Sequence, residues 1–147
     1  MKRCLFVDDS PVIRRVARHI LSGPEILFME ASSGAASLNI CRIDVPDVVV
    51  IDTTLSDIDA IELVSRLRAL DTSGRSKLVV SMNHLDIGFL TRAKRAGADG
   101  YMLKPFNRTQ LLEAMQGFDL PVQACQMAQQ PPRRARTFAG MQGSLSA

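Results

Sequence analysis

Val48-Val49-Val50-Ile51-Asp52 decides how this chain folds. Four consecutive β-branched residues are stiff at χ1 and favour extended backbone, and they leave neither face of the strand polar. A strand that is apolar on both faces belongs in the middle of a parallel sheet, covered by helices on each side. The run stops on a carboxylate, Asp52. Three other short apolar runs stop on a polar residue in the same way: Leu5-Phe6-Val7 at Asp8-Asp9, Leu78-Val79-Val80 at Ser81, and Tyr101-Met102-Leu103 at Lys104.

Helical patterns fill the gaps between these runs. Ser10-Pro11 opens one that carries Val12, Ile13, Val16, Ala17, Ile20 and Leu21 and is stopped by Gly23-Pro24. Ile26 to Met29 forms a further short strand, and Ser32 or Ser33 caps a second helix with Ala36, Leu38, Ile40 and Cys41. Asp59 with Glu62, and Asn107 with Gln110, have the spacing of capping boxes ahead of the third and last helices. Between them, Ile87 to Ala96 is a fourth helix ended by Gly97. Five strand–helix alternations give an α/β fold: a doubly wound, five-stranded parallel sheet. A closed eight-fold barrel needs about 250 residues, so the sheet is open, with its crevice at the strands' carboxyl ends where the winding reverses. For strand order 2-1-3-4-5 that reversal lies between the strands ending at Asp8-Asp9 and at Asp52.

Composition narrows the function classes. The chain has 147 residues, 46% hydrophobic and 22% charged, as expected of one globular domain with a core. No apolar run approaches the roughly 20 residues that span a bilayer, so no membrane insertion is expected. Cys4, Cys41 and Cys125 are odd in number and widely spaced, without a CxxC pair, which suits a reducing cytoplasm better than a disulfide or zinc framework. Up to Phe118 there are 15 basic against 14 acidic residues, so the domain lacks the basic face that nucleic-acid binding needs. From Asp119 the character changes: scattered glutamines, Pro131-Pro132 and Arg133-Arg134-Ala135-Arg136 read as a flexible tail over 119–147, with a short helix from Val122 to Gln130.

The four strand ends define a chemistry. Three clustered carboxylates repel one another unless a cation neutralises them. Oxygen donors without cysteine or histidine suit Mg2+ rather than zinc. Lys104 opposite the acids pairs with phosphoryl oxygens, and Ser81 donates a hydrogen bond to the same group. Asp52, placed centrally, is the natural nucleophile of an in-line phosphoryl transfer. His19 and His84 have no companion ligands, and Asp57 and Asp59 read as a solvated loop residue and a helix cap.

Val7-Asp8-Asp9-Ser10, Asp52, Ser81 and Tyr101-Met102-Leu103-Lys104-Pro105-Phe106 together resemble the receiver domains of bacterial two-component response regulators, over about residues 2–118. The resemblance implies a flavodoxin-like receiver fold and a receiver domain spanning 1–118. It implies that Asp52 accepts a phosphoryl group from a sensor histidine kinase or a histidine phosphotransfer protein. Asp8, Asp9, Asp52 and the backbone carbonyl of Thr54 then hold Mg2+, Lys104 senses the phosphoryl group, and Ser81 with Tyr101 forms the switch. The output is a protein target docked on the face made by helix 4, strand 5 and helix 5, where Arg92, Lys94 and Arg95 lie. Pro105 matches a position usually preceded by a cis bond.

Three residues depart from the family pattern: Ser56 in place of proline, Ala60 in place of glycine and Met82 in place of a small residue. They suggest an altered loop, and a long-lived aspartyl phosphate if the Met82 thioether hinders attacking water. They also keep two other readings open. One is a pseudo-receiver acting as a phosphorylation-independent interaction module, the other a small phosphatase-like enzyme working through an aspartyl phosphate.

Overall fold

The computed structural model describes residues 2–116 and the pair 136–137. The parallel strands are β1 (Lys2–Val7), β2 (Ile26–Ala31), β3 (Val48–Asp52), β4 (Lys77–Met82) and β5 (Gly100–Leu103). Helices α1 (Pro11–Leu21), α2 (Gly34–Ile43), α3 (Ala60–Leu70), α4 (Ile87–Ala96) and α5 (Arg108–Gln116) alternate with them. The strand order is β2-β1-β3-β4-β5, as expected, with β3 at the centre. A two-residue strand, β6 (Arg136–Thr137), pairs antiparallel with Gly100 and Tyr101 at the β5 edge, an addition the sequence pattern did not announce. The expected helix at Val122–Gln130 and, apart from Arg136–Thr137, the rest of the 119–147 tail lie outside the described residues.

The continuous apolar run of β3 is explained by its two neighbours. Val49 and Ile51 enter a cluster with Leu38 of α2, Leu63, Val64 and Leu67 of α3, and Leu90 of α4. Val48 and Val50 enter a second cluster with Phe6, Phe28, Ala17 and Leu21 of α1, and Leu111 of α5. All five β3 residues are buried, Asp52 included. Each fully buried aliphatic side chain contributes roughly 1.5–3 kcal/mol relative to exposure, so a polar substitution at Val49 or Ile51 strikes the first layer and one at Val48 or Val50 the second.

Local signals place the helix starts. Ser10 and Ser33 accept from the N–H groups of Ile13 and Ala36 at 3.3 and 3.1 Å, which fixes Ser33 as the α2 cap. Asp59 accepts from Ile61 and Glu62, and Asn107 and Gln110 bond reciprocally at 2.8 and 2.9 Å. β2 runs two residues beyond the expected Met29, to Ala31, because its last pairs with β1 extend to Val7↔Ala31.

The β3–α3 loop adds to the reading of Asp57. Exposed in the loop as expected, Asp57 also accepts from the N–H groups of Gly34 and Ala35 at 3.0 and 2.9 Å, capping α2 from another part of the chain. Those bonds, from Ala35 and then Gly34, hold its carboxyl below the usual carboxylate range. Gly34 has no room for a side chain: a Cβ there would lie 2.1 Å from the Ile58 Cγ2. Ala60 is the first residue of α3, and among the described residues no non-glycine has positive φ. The expected loop therefore forms without a glycine at position 60.

Away from the carboxyl ends, Arg68 of α3 ties three segments together. Its guanidinium donates to the Gly97 carbonyl, to Asp99 at 2.6 Å, to Asp71 at 3.1 Å and to the Ser76 carbonyl at 2.9 Å. Gly97 has φ of 119° and ends α4, and a Cβ there would meet the Arg68 Cγ at 2.8 Å. Arg68→Ala removes the cation shared by two carboxylates and a donor from two carbonyls, while Asp71 keeps its bonds from Ser73 and Ser76 and Asp99 its bond from Leu78. A loss of about 2–4 kcal/mol is expected, read as a lower urea midpoint at unchanged slope.

Candidate functional site

Register brings the four strand ends together. Val7 pairs with Ile51, Asp52 with Ser81, and Met82 with Leu103, so Asp8, Asp52, Ser81 and Lys104 share one rim. Backbone bonds continue each ladder past its end: Asp8 N–H to Ala31, Thr53 N–H to Ser81 and Lys104 N–H to Met82, at 3.1, 3.0 and 2.8 Å. The peptide bond that follows, Lys104–Pro105, is cis.

Asp8 and Asp52 are each 1% exposed, whereas Asp9 is exposed. Lys104 lies between the two buried acids, its Nζ 2.7 Å from Asp52 Oδ1 and 3.1 Å from Asp8 Oδ2. Burial pushes this ammonium down, but the hydrogen bond and charge of Asp52, followed by those of Asp8, outweigh that effect and hold it above 10.5. The second oxygen of Asp8 accepts from the Ser10 N–H at 2.9 Å. Thr54 contributes more than the expected backbone carbonyl: its hydroxyl lies 3.0 Å from both Asp52 oxygens, and its N–H donates to Oδ1 at 3.1 Å.

One oxygen from each of Asp8, Asp9 and Asp52 falls within a 4.8 Å cluster. Two buried carboxylates with a third facing solvent offer a hard cation an oxygen-only cup with an open side. Ser81 Oγ, on the residue paired with Asp52, is buried and has no hydrogen-bond partner among the described residues. A buried hydroxyl left unpaired costs roughly 1–3 kcal/mol, so the rim holds a donor in reserve for an incoming acceptor. The oxygen donors and the reserved hydroxyl fit a divalent cation with an oxyanion.

The chain matches the model of the response regulator receiver domain over residues 4–116. It belongs to the receiver domains of response regulators. This receiver is 30% identical over 114 residues to the chemotaxis protein CheY of Halobacterium salinarum, covering 78% of the chain and 93% of that protein. It is 32% identical to the nitrate/nitrite response regulator protein NarL of Escherichia coli K12, covering 76% of the chain and 51% of NarL. Among solved structures, the receiver resembles the chemotaxis response regulator CheY4 of Vibrio cholerae with a TM-score of 0.75 and 25% identity, covering 80% of this chain and 98% of that one.

The remaining predicted residues divide by position. Tyr101 is packed inward, 7% exposed, in the layer that holds Leu90 and Ala93 of α4. Met82, directly after Ser81, is 4% exposed and joins that same layer. His19 and His84 are exposed. Burial pushes the Cys4 and Cys41 thiols up to about 12 and about 11, which leaves neither reactive at neutral pH. No described helix is long and apolar enough to cross a membrane.

The raised Lys104 pKa has a testable sign. A cation stabilised in the folded state adds stability in full below its unfolded pKa, and the gain is lost as pH rises through the folded value. The stability difference between the wild type and Lys104→Met, from denaturant titrations without divalent cation, is expected to be constant up to about pH 10 and to shrink above 10.5.

Proposed function

We propose that this receiver accepts a phosphoryl group on Asp52 from a histidine kinase or histidine phosphotransfer protein and signals by switching protein–protein interactions. The observation that carries the reading is the pairing, across one strand register, of a buried carboxylate held by a lysine with a buried hydroxyl that has no partner. In the transfer, an Asp52 oxygen attacks phosphorus as the phosphorus–nitrogen bond to the donor imidazole breaks, and the electron pair leaves with that ring. Asp8, Asp9, Asp52 and the Thr54 carbonyl would hold Mg2+, which neutralises phosphoryl oxygens. Lys104 exchanges its bond to Asp52 for one to a phosphoryl oxygen, and Ser81 turns its hydroxyl to another. Coupling runs from Ser81 through the neighbouring strand to Tyr101, and the target docks on the α4, β5 and α5 face in the cytoplasm.

Incubation with acetyl phosphate and Mg2+ tests this reading by intact mass. One added phosphoryl group on the wild type and none on Asp52→Asn is expected. No adduct on either supports the pseudo-receiver, which Ser56, Ala60 and Met82 favour. Sustained turnover of small phosphate esters supports a phosphatase instead.

Met82 bears on the lifetime of the adduct. A thioether next to Ser81, where the family resemblance implies a small residue, narrows the approach of hydrolytic water, so Met82→Ala is expected to speed dephosphorylation several-fold. Because Met82 is a core residue, the substitution costs about 2–5 kcal/mol, and decay is measured well below its melting transition. An unchanged decay rate refutes the role.

A further inference from the structure

Asp9 is the weakly held member of the acidic cluster. It is exposed, and its carboxylate has no hydrogen-bond partner among the described residues, whereas both oxygens of Asp8 are engaged. What aims Asp9 is therefore its backbone. The peptide group joining Asp8 to Asp9 is planar, so fixing the Asp8 carbonyl fixes the plane from which Asp9 departs.

That carbonyl lies where β1 has ended and α1 has not begun, and a side chain takes it up. Arg14 Nη1, from the first turns of α1, donates to the Asp8 carbonyl at 2.7 Å. The same guanidinium donates through Nε to Glu30 on β2 at 3.2 Å, and its side chain is 17% exposed. The other Glu30 oxygen accepts from Arg18 Nε at 2.7 Å. A planar fork held at one end by a carboxylate presents its other end in a fixed direction, which a lysine ammonium does not.

We propose that Arg14 is a positioning residue for the cation site: braced by Glu30, it orients the Asp8–Asp9 peptide and so presents the Asp9 carboxylate to the metal. The proposal rests on the reading of Asp8, Asp9 and Asp52 as metal ligands. Partners of this outer kind are typically worth about 10–100-fold in metal affinity. Charge alone predicts the reverse, since removing a cation beside an acidic cluster strengthens binding of another cation. The sign of the effect thus separates positioning from electrostatics. Arg18 provides the control, because it shares Glu30 and carries the same charge but makes no bond to Asp8.

Titration calorimetry of Mg2+ into the full chain compares the wild type, Arg14→Met and Arg18→Met, with thermal melts in the absence of Mg2+ reporting the purely structural cost. Arg14→Met is expected to weaken Mg2+ binding about tenfold or more, while Arg18→Met leaves it unchanged or slightly tighter. Arg14→Gln, a milder truncation, is expected to move in the same direction and serves if the methionine variant does not fold. Equal or tighter binding by the folded Arg14 variants overturns the proposal, as does equal weakening by Arg18→Met. A wild type that takes up no Mg2+ overturns the metal reading itself, a result distinct from either.

Discussion

One buried ammonium makes the carboxyl end of this sheet possible. Asp8 and Asp52 are 1% exposed at the ends of adjacent strands, and two buried carboxylates side by side repel each other unless a cation is shared between them. Lys104, from an element 52 residues beyond Asp52, supplies the charge to both. Buried ion pairs add little net stability compared with apolar packing, because desolvation offsets their attraction, so the arrangement is better explained by use than by folding. In the proposed function, a cation and an oxyanion entering together would replace the lysine's service to the acids and free it for the oxyanion, so the resting contacts would stand in for the working ones.

The sheet makes that exchange a local event. Strand residues alternate between a layer covered by α2, α3 and α4 and a layer covered by α1 and α5, and both layers are filled to the rim. Ser81 sits between Val80 and Met82, which belong to the first layer, and next to β5 residues that include Tyr101. In the proposed switch, a change at the rim would reach α4 and β5 through these packed side chains, since close-packed interiors switch between arrangements rather than deforming smoothly.

Most of the fold was legible because it rests on local chemistry: β-branched runs, serine and aspartate caps, and the reciprocal Asn107–Gln110 pair. The strand-end residues were legible for a topological reason, since parallel strands with right-handed crossovers share one rim whatever their separation in sequence. Residues acting through long-range geometry were not. Arg14 looks like any basic residue on an amphipathic helix, and only the position of the Asp8 carbonyl gives it a task. Asp57 looks like a loop acid until α2 arrives from 22 residues earlier. The Thr54 hydroxyl gave no signal either, because a loop threonine carries no pattern that turns it back onto a carboxylate two residues earlier.

Asp57 also resolves the tension raised by Ser56 and Ala60. A loop that lacks a proline and a glycine would seem free to wander or forced into strain. Here two hydrogen bonds from the start of α2 hold its middle, Ile58 is seated against a glycine that leaves no space for a Cβ, and Asp59 caps the helix that follows. Ala60 then needs only ordinary helical angles, which alanine takes more readily than glycine. The constraint missing from the chain at positions 56 and 60 is supplied from α2, and the Thr54 backbone stays beside Asp52, where its N–H bond to Oδ1 holds it. The unusual loop residues are therefore compatible with intact geometry at the acids, and they shift the question from whether the site forms to how fast it turns over.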